Sequence, residues 1–243
     1  MKTKLFILFQ VLISLLCPAG PSALVSEWLF NEGAGNIAGD SVGNNDCIVY
    51  KAQWTNDRFG RPGGALKFDG LKDFACCPAA ATLNIINDLS VEFWFKPEET
   101  SNSVQQIVRF GNFPCAGAVV LLAGNLSFSS HSPAWDTLVQ TKNNPITRAK
   151  WHHVIVTRHT RNGGAIGKVY LNGRLEAEGV KNGDTMHGDD EFYITGAPLY
   201  FKGSMDELRI YDHVLSLEDV KNLYEKSAVE SIKDNRLRCT AAQ

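Results

Sequence analysis

The chain contains no run of lysines and arginines, and 24 of these residues stand against 26 acidic ones for a formal net charge of −2. A positive stripe that could track a phosphate backbone or an anionic membrane surface is therefore not expected. Beyond the first two dozen residues no segment approaches the roughly 20 consecutive apolar residues that a spanning helix needs, so membrane insertion is not expected either. No nucleophile elbow or matched base is read from the chain, which argues against a serine or cysteine hydrolase. Cys76-Cys77 has no second Cys-x-x-Cys or spaced histidine pair beside it, which argues against zinc.

The amino terminus indicates the compartment. Lys2 and Lys4 precede the apolar run Leu5 to Cys17, and Pro21-Ser22-Ala23 ends in a small residue. That order is the pattern of a cleaved secretory signal over residues 1–23, with a secreted or periplasmic mature protein to follow. Cys47, Cys76, Cys77, Cys115 and Cys239 would then remain, an odd number in an oxidising compartment. At least one must stay unpaired or bridge to another chain, so a disulfide-linked oligomer is one expected partner state. Cys76 and Cys77 are neighbours on an expected strand, so their side chains point to opposite faces.

Hydrophobic alternation dominates the rest. In Trp151 to Gly179, Val154 and Val156 alternate with His153, Ile155 and Thr157, and beyond a glycine break Val169 and Leu171 alternate with Lys168 and Tyr170. Asn172-Gly173 suits a type I′ turn, and Arg174-Leu175-Glu176-Ala177 runs back along the preceding strand. Further strands are expected at Leu24 to Phe30, Ile48 to Tyr50, Ala65 to Asp69, Asp73 to Cys77, Leu89 to Lys96, Val104 to Phe110, Ala118 to Ala123, Leu126 to Ser130, Thr137 to Thr141, Phe192 to Ile194 and Met205 to Tyr211. Residues Asn31 to Asn45 read as loop. Such spacing, with turn residues between, predicts an all-β sandwich or jelly roll. One helix is expected from Ser216, which forms a capping pair with Asp219 ahead of Leu217, Val220, Leu223 and Tyr224. The polar stretch 227–243 reads as a tail.

Taken in order, several phrases resemble the laminin G-like jelly roll of the concanavalin A-like lectin and glucanase superfamily. They are E-W-L-F-N-E-G-A-G-N, R-F-G-R-P-G-G-A-L-K-F-D-G, L-S-V-E-F-W-F-K-P, W-H-H-V-I-V-T, V-Y-L-N-G-R-L and G-S-M-D-E-L-R-I-Y-D-H-V-L-S-L-E-D-V. The resemblance implies an all-β, two-sheet antiparallel jelly-roll sandwich over residues 24–226 with one short C-terminal helix. It leaves function open, because the same sandwich hosts sugar binders, adhesion modules and glycosidases. Cys47, Cys76 and Cys77 depart from the small or aliphatic residues usual there.

Glycosidases of this fold set acidic residues two strand positions apart in an E-x-D-x-E phrase, which turns them onto one face. No such phrase occurs: Glu92 stands alone and Asp189-Asp190-Glu191 are consecutive. An enzyme is therefore not expected. His152 and His153 face opposite ways and cannot grip one ion, so His153 reads as a packed structural residue. The resemblance does imply a structural calcium joining the loop after the first strand to the start of the last one. Asp40 and Asp206 occupy those places, and hard oxygen ligands suit that ion. For sugar, Trp135 is the expected platform, since Trp28, Trp54, Trp94 and Trp151 lie in phrases of the fold's core. The expected function is a secreted non-catalytic module recognising a polysaccharide or glycoprotein. A glycan-cleaving enzyme and a protein-binding adhesion subunit are the alternatives.

Overall fold

The computed structural model describes residues 24–111, 117–129, 137–184, 186 and 191–227. The expected signal segment 1–23, Cys115, Trp135, Asp189, Asp190 and the tail beyond 227, with Cys239, lie outside these residues. Among the described residues no helix is long and apolar enough to cross a membrane.

In chain order the strands are β1 (Leu24–Trp28), β2 (Ile37–Ala38), β3 (Cys47–Tyr50), β4 (Gln53–Thr55), β5 (Ala65–Asp69), β6 (Phe74–Cys77), β7 (Leu89–Pro97) and β8 (Gln105–Phe110). They continue as β9 (Gly117–Leu122), β10 (Asn125–Ser129), β11 (Thr137–Gln140), β12 (His152–Arg161), β13 (Gly164–Leu171), β14 (Arg174–Asn182), β15 (Phe192–Ile194) and β16 (Lys202–Tyr211). A helix, α1, covers 217–227. The first sheet runs β14-β13-β12-β7-β16-β5-β4, with β1 also on β16, and the second runs β11-β10-β9-β8-β15-β6-β3-β2. Every ladder between these strands is antiparallel, so the expected two-sheet sandwich is present.

Alternation decides what lies between the sheets. Val91, Phe93 and Phe95 of β7 face Phe192 and Ile194 of β15 and the inward residues of β8 to β10, all fully or almost fully buried in one core. Register sets Ile48 of β3 against Cys76 of β6, which brings Cys47 against Cys77 one position on, and these two form a disulfide inside that core. Cys76 points the other way, as alternation predicts, and its thiol is free. Two short strands escape the pattern reading. β2 lies within the expected loop 31–45, and β4 holds Trp54 against Leu66 at the sheet edge.

The β12–β13–β14 meander forms with Asn172 and Gly173 both at positive φ, 49° and 77°, as a type I′ turn requires. Gly167 and Gly179 pair across β13 and β14, where β11 of the other sheet crosses. A Cβ on Gly179 would fall 2.0 Å from the Leu138 carbonyl oxygen, and one on Gly167 would fall 2.8 Å from Leu138 Cγ. Two bare backbones thus let the sandwich close at this end. A Gly→Ala change at a permissive site stabilises by about 0.4–1 kcal/mol through the unfolded chain, but here overpacking outweighs it. Gly179→Ala is expected to cost about 1–3 kcal/mol, read as a lower urea midpoint at unchanged slope.

The first sheet is covered on its outer face as well, around β12 and β16, whereas its edge strand β14 is largely exposed. On its outer side Ile155, Tyr170 and Tyr211 pack under Leu215 and Val220. That second layer explains why β12 is buried from His152 through Arg158 and shows no half-polar alternation. The helix starts as the sequence predicts: Ser216 N–H donates to Asp219 Oδ2 at 2.9 Å and Asp219 N–H donates to Ser216 Oγ at 3.1 Å.

Candidate functional site

The outer face of the second sheet is not covered in the same way. Alternation sends Ile48 and Tyr50 of β3, Phe74 and Cys76 of β6, Tyr193 of β15 and Arg109 of β8 outward, and register lines Ile48, Cys76, Tyr193 and Arg109 into one row. Tyr50 and Phe74 stack at 4.4 Å between centroids and 14° between planes, and Phe74 meets Tyr193 at 6.3 Å. The Arg109 guanidinium lies 4.1 Å over the Tyr193 ring. With Glu191, Ala197 and Tyr200 these side chains line a groove of about 520 Å³. Tyr50 is 42% exposed, so the aromatic floor is open to a ligand.

Polar groups sit at one end of that floor. Arg109 is almost wholly buried, its Nη1 donates to the Ala197 carbonyl at 2.7 Å, and its Nε has no protein partner. The Tyr193 hydroxyl donates to Glu191. Burial first, then the Glu191 hydrogen bond and charge, hold that phenol above its ordinary range. Burial, with Glu191 again adding to it, pushes the Cys76 thiol up to about 11. At neutral pH the groove therefore presents a neutral thiol and phenol beside one cation and one carboxylate. Hydroxyl-rich ligands can both donate to and accept from such a set.

The residues singled out by sequence fall elsewhere. Trp135 lies outside the described residues. Asp40 bridges to Trp28 at the loop after β2, and its carboxylate accepts the amides of Glu27, Val42, Gly43 and Asn45. These bonds outweigh burial and hold its pKa below the usual carboxylate value. Asp206 sits in β16 opposite Trp94 and pairs with Arg58 Nη1 at 2.8 Å, both side chains being 3% exposed. Burial, with Glu207 beside it, pushes Asp206 up to about 7 against the pull of Arg58. Among the described residues no group of three or more His, Cys, Asp or Glu could hold a metal ion. Calcium takes six to eight oxygens, whereas one of these carboxylates is spent on a loop's amides and the other on a guanidinium.

Other expectations sort by layer. His153 Nε2 lies 3.0 Å from Glu92 Oε1 and is 1% exposed, a packed structural residue, while His152 Nε2 turns to Thr147. Trp28 is in the core, but Trp94 lies outside it, stacked on Tyr224 of α1, and Trp151 is half-buried under Lys96. Ser41 stands in G-D-S-V-G, whose letters match a nucleophile elbow. Strands β2 and β3 flank it rather than strand and helix, and its hydroxyl donates to Glu27 at 2.6 Å. The groove itself escaped sequence reading. Its signal was present: C-I-V-Y, F-A-C-C and F-Y-I place Ile48, Tyr50, Phe74 and Tyr193 on the face that these strands do not turn to the core.

The family described as the concanavalin A-like lectin/glucanases superfamily matches residues 69–221. Comparison with curated proteins gives no match. Among solved structures the chain is similar to the botulinum neurotoxin serotype D binding domain, with 16% identity, a TM-score of 0.63 and 84% of this chain on 51% of that one. It is similar to a mutant Trypanosoma rangeli sialidase displaying trans-sialidase activity, at 17% identity and TM-score 0.61, covering 82% of this chain and 32% of that one. Domain 4 of AbnA, an extracellular arabinanase from Geobacillus stearothermophilus, was solved with arabinotriose; it shares 23% identity at TM-score 0.61 over 84% of this chain and 98% of that one. The chain thus spans about half of the neurotoxin chain and a third of the sialidase chain. At these identities the likeness is one of fold. With its family match over residues 69–221 and its two-sheet antiparallel sandwich, the chain belongs to the concanavalin A-like lectin/glucanase superfamily.

Proposed function

We propose that the chain is a secreted, non-catalytic module that binds carbohydrate on the outer face of its second sheet. The observation that carries this reading is the aromatic floor of stacked Tyr50 and Phe74 with Tyr193 tilted beside them, and Arg109 and Glu191 at its end. Aromatic faces take the apolar side of a sugar ring, and the polar pair takes its hydroxyls. Among the described residues Glu191 is the one carboxylate in the lining, whereas the usual glycoside hydrolysis needs two flanking the bond. Domain 4 of AbnA, solved with arabinotriose, is a sandwich of similar fold. The signal-like amino terminus and the Cys47–Cys77 disulfide support secretion.

The test is calorimetric titration of the mature chain against a glycan panel, with assay of reducing ends alongside. Binding without release is the expected result. Tyr50→Ala and Phe74→Ala should each lower affinity by about 1 kcal/mol, roughly fivefold, and leave the melting temperature nearly unchanged. Release of sugar ends would make the chain an enzyme. Silence on every glycan would favour a protein-binding adhesion subunit.

A further inference from the structure

We propose that the ligand is an uncharged polysaccharide held along its chain, filling the aromatic groove and a second cavity beyond Tyr200; this rests on the carbohydrate reading above. A neighbouring cavity of about 630 Å³ is lined by Asp69, Leu71, Glu99, Ser103, Gln105 and Lys202. Tyr200 lines this cavity and the groove alike, and the segment 197–200 borders both. The loop segment 197–200 with the Tyr200 side chain, not a layer of sheet, stands between them. Each cavity falls within the roughly 300–1,000 Å³ that holds a complete small ligand, so the two together exceed what one terminal sugar fills.

The second cavity has a fixed floor and an open apolar side. Gln105 is buried, accepts the Lys202 amide at 2.9 Å and donates to the Glu99 carbonyl at 3.3 Å, so its carboxamide cannot swing away. Leu71, at the tip of the turn between β5 and β6, is 73% exposed and packs into no cluster. It offers the cavity an apolar contact that the fold does not use. Such a preformed surface binds without first being ordered.

Charge selects the class of polymer. Across both cavities Arg109 and Lys202 stand against Asp69, Glu99 and Glu191. Lys202 is already paired with Glu99 at 2.7 Å, and Asp69 Oδ1 accepts the amides of Leu71, Lys72 and Asp73. No net positive field remains to draw in a sulfated or carboxylated chain. Neutral hydroxyls find both donors and acceptors there.

The experiment titrates the mature chain with arabino-, xylo-, β-1,3-gluco- and manno-oligosaccharides of increasing length, and with heparin and hyaluronate. Within the series that binds, affinity should rise about tenfold from disaccharide to pentasaccharide, with no binding of the two polyanions. Ser103→Trp, placed in an exposed loop to fill the second cavity, should reduce the pentasaccharide to the affinity of the disaccharide and leave the disaccharide unchanged. Leu71→Ala should weaken the pentasaccharide severalfold without perturbing the circular dichroism spectrum, which keeps the test valid should the tryptophan disturb folding. Equal affinity along the series, full length dependence in both variants, or tighter binding of a polyanion would overturn this inference and leave the carbohydrate reading standing. Absence of binding by every glycan would overturn both.

Discussion

Glu92→Ala is expected to lower folding stability by about 3–5 kcal/mol, read as a fall in the urea midpoint. Glu92 is fully buried on the outer face of β7 and accepts from Tyr211 Oη at 2.6 Å and Arg209 Nη1 at 3.3 Å, with His153 Nε2 at 3.0 Å. Removing the carboxylate leaves the buried Tyr211 hydroxyl and His153 ring without this acceptor and opens a cavity beneath the helix layer, while Arg209 keeps Glu27 at 2.6 Å and Glu207 at 3.1 Å; each buried polar group left unsatisfied costs about 1–3 kcal/mol. Burial alone would raise the Glu92 pKa, but His153, Arg209 and Tyr211 outweigh it and hold the group below its ordinary 4.5. A carboxyl with a depressed folded pKa contributes stability above the unfolded value and loses it as pH falls through the folded one. The gap between wild type and Glu92→Gln should therefore be full above about pH 5 and narrow in more acid solution.

Arg158→Ala should be of similar size, about 3–5 kcal/mol, and should act at the other end of β12. Arg158 is 1% exposed, and its Nε donates to Asp184 Oδ2 at 2.9 Å while Nη1 donates to the carbonyls of Ile86 and Asn87 at 3.1 and 2.7 Å. One planar fork thus ties the 84–88 segment and Asp184 to the sheet. Truncation leaves the buried Asp184 carboxylate without that partner and two carbonyls without that donor. Arg158→Lys should recover little, because a single ammonium cannot meet three directions at once. Thermal melts of the two variants, with proteolysis at 84–88 as a local readout, check this.

Alternation made most of the sandwich legible, since a strand that buries one face writes a period of two. It placed β7, β12 and β15 and the outward turn of Cys76. The helix start was legible because Ser216 and Asp219 satisfy each other's amides within four residues. What was not legible depends on contacts distant in sequence. Glu92, His153, Arg209 and Tyr211 come from three strands, and nothing local to any of them signals the cluster. Asp40 and Asp206 look like ion ligands as letters; whether a carboxylate meets amides, a guanidinium or a metal is settled by its neighbours in space. The groove needed strand order as well, because Tyr50, Phe74, Tyr193 and Arg109 become one surface only when β3, β6, β15 and β8 lie side by side.

A glycan bound on the second sheet is located by mapping which side chains it touches. In nuclear magnetic resonance of labelled mature chain titrated with the tightest oligosaccharide of the panel, the Arg109 Nε–H, the Tyr193 ring and the Tyr50 and Phe74 side chains should shift together and saturably. The outer face of the first sheet, with Tyr170, Tyr211 and α1, should remain still. Shifts confined to that face or to the loop of Asp40, with the Arg109 Nε–H unmoved at saturation, would contradict a binding site on the second sheet.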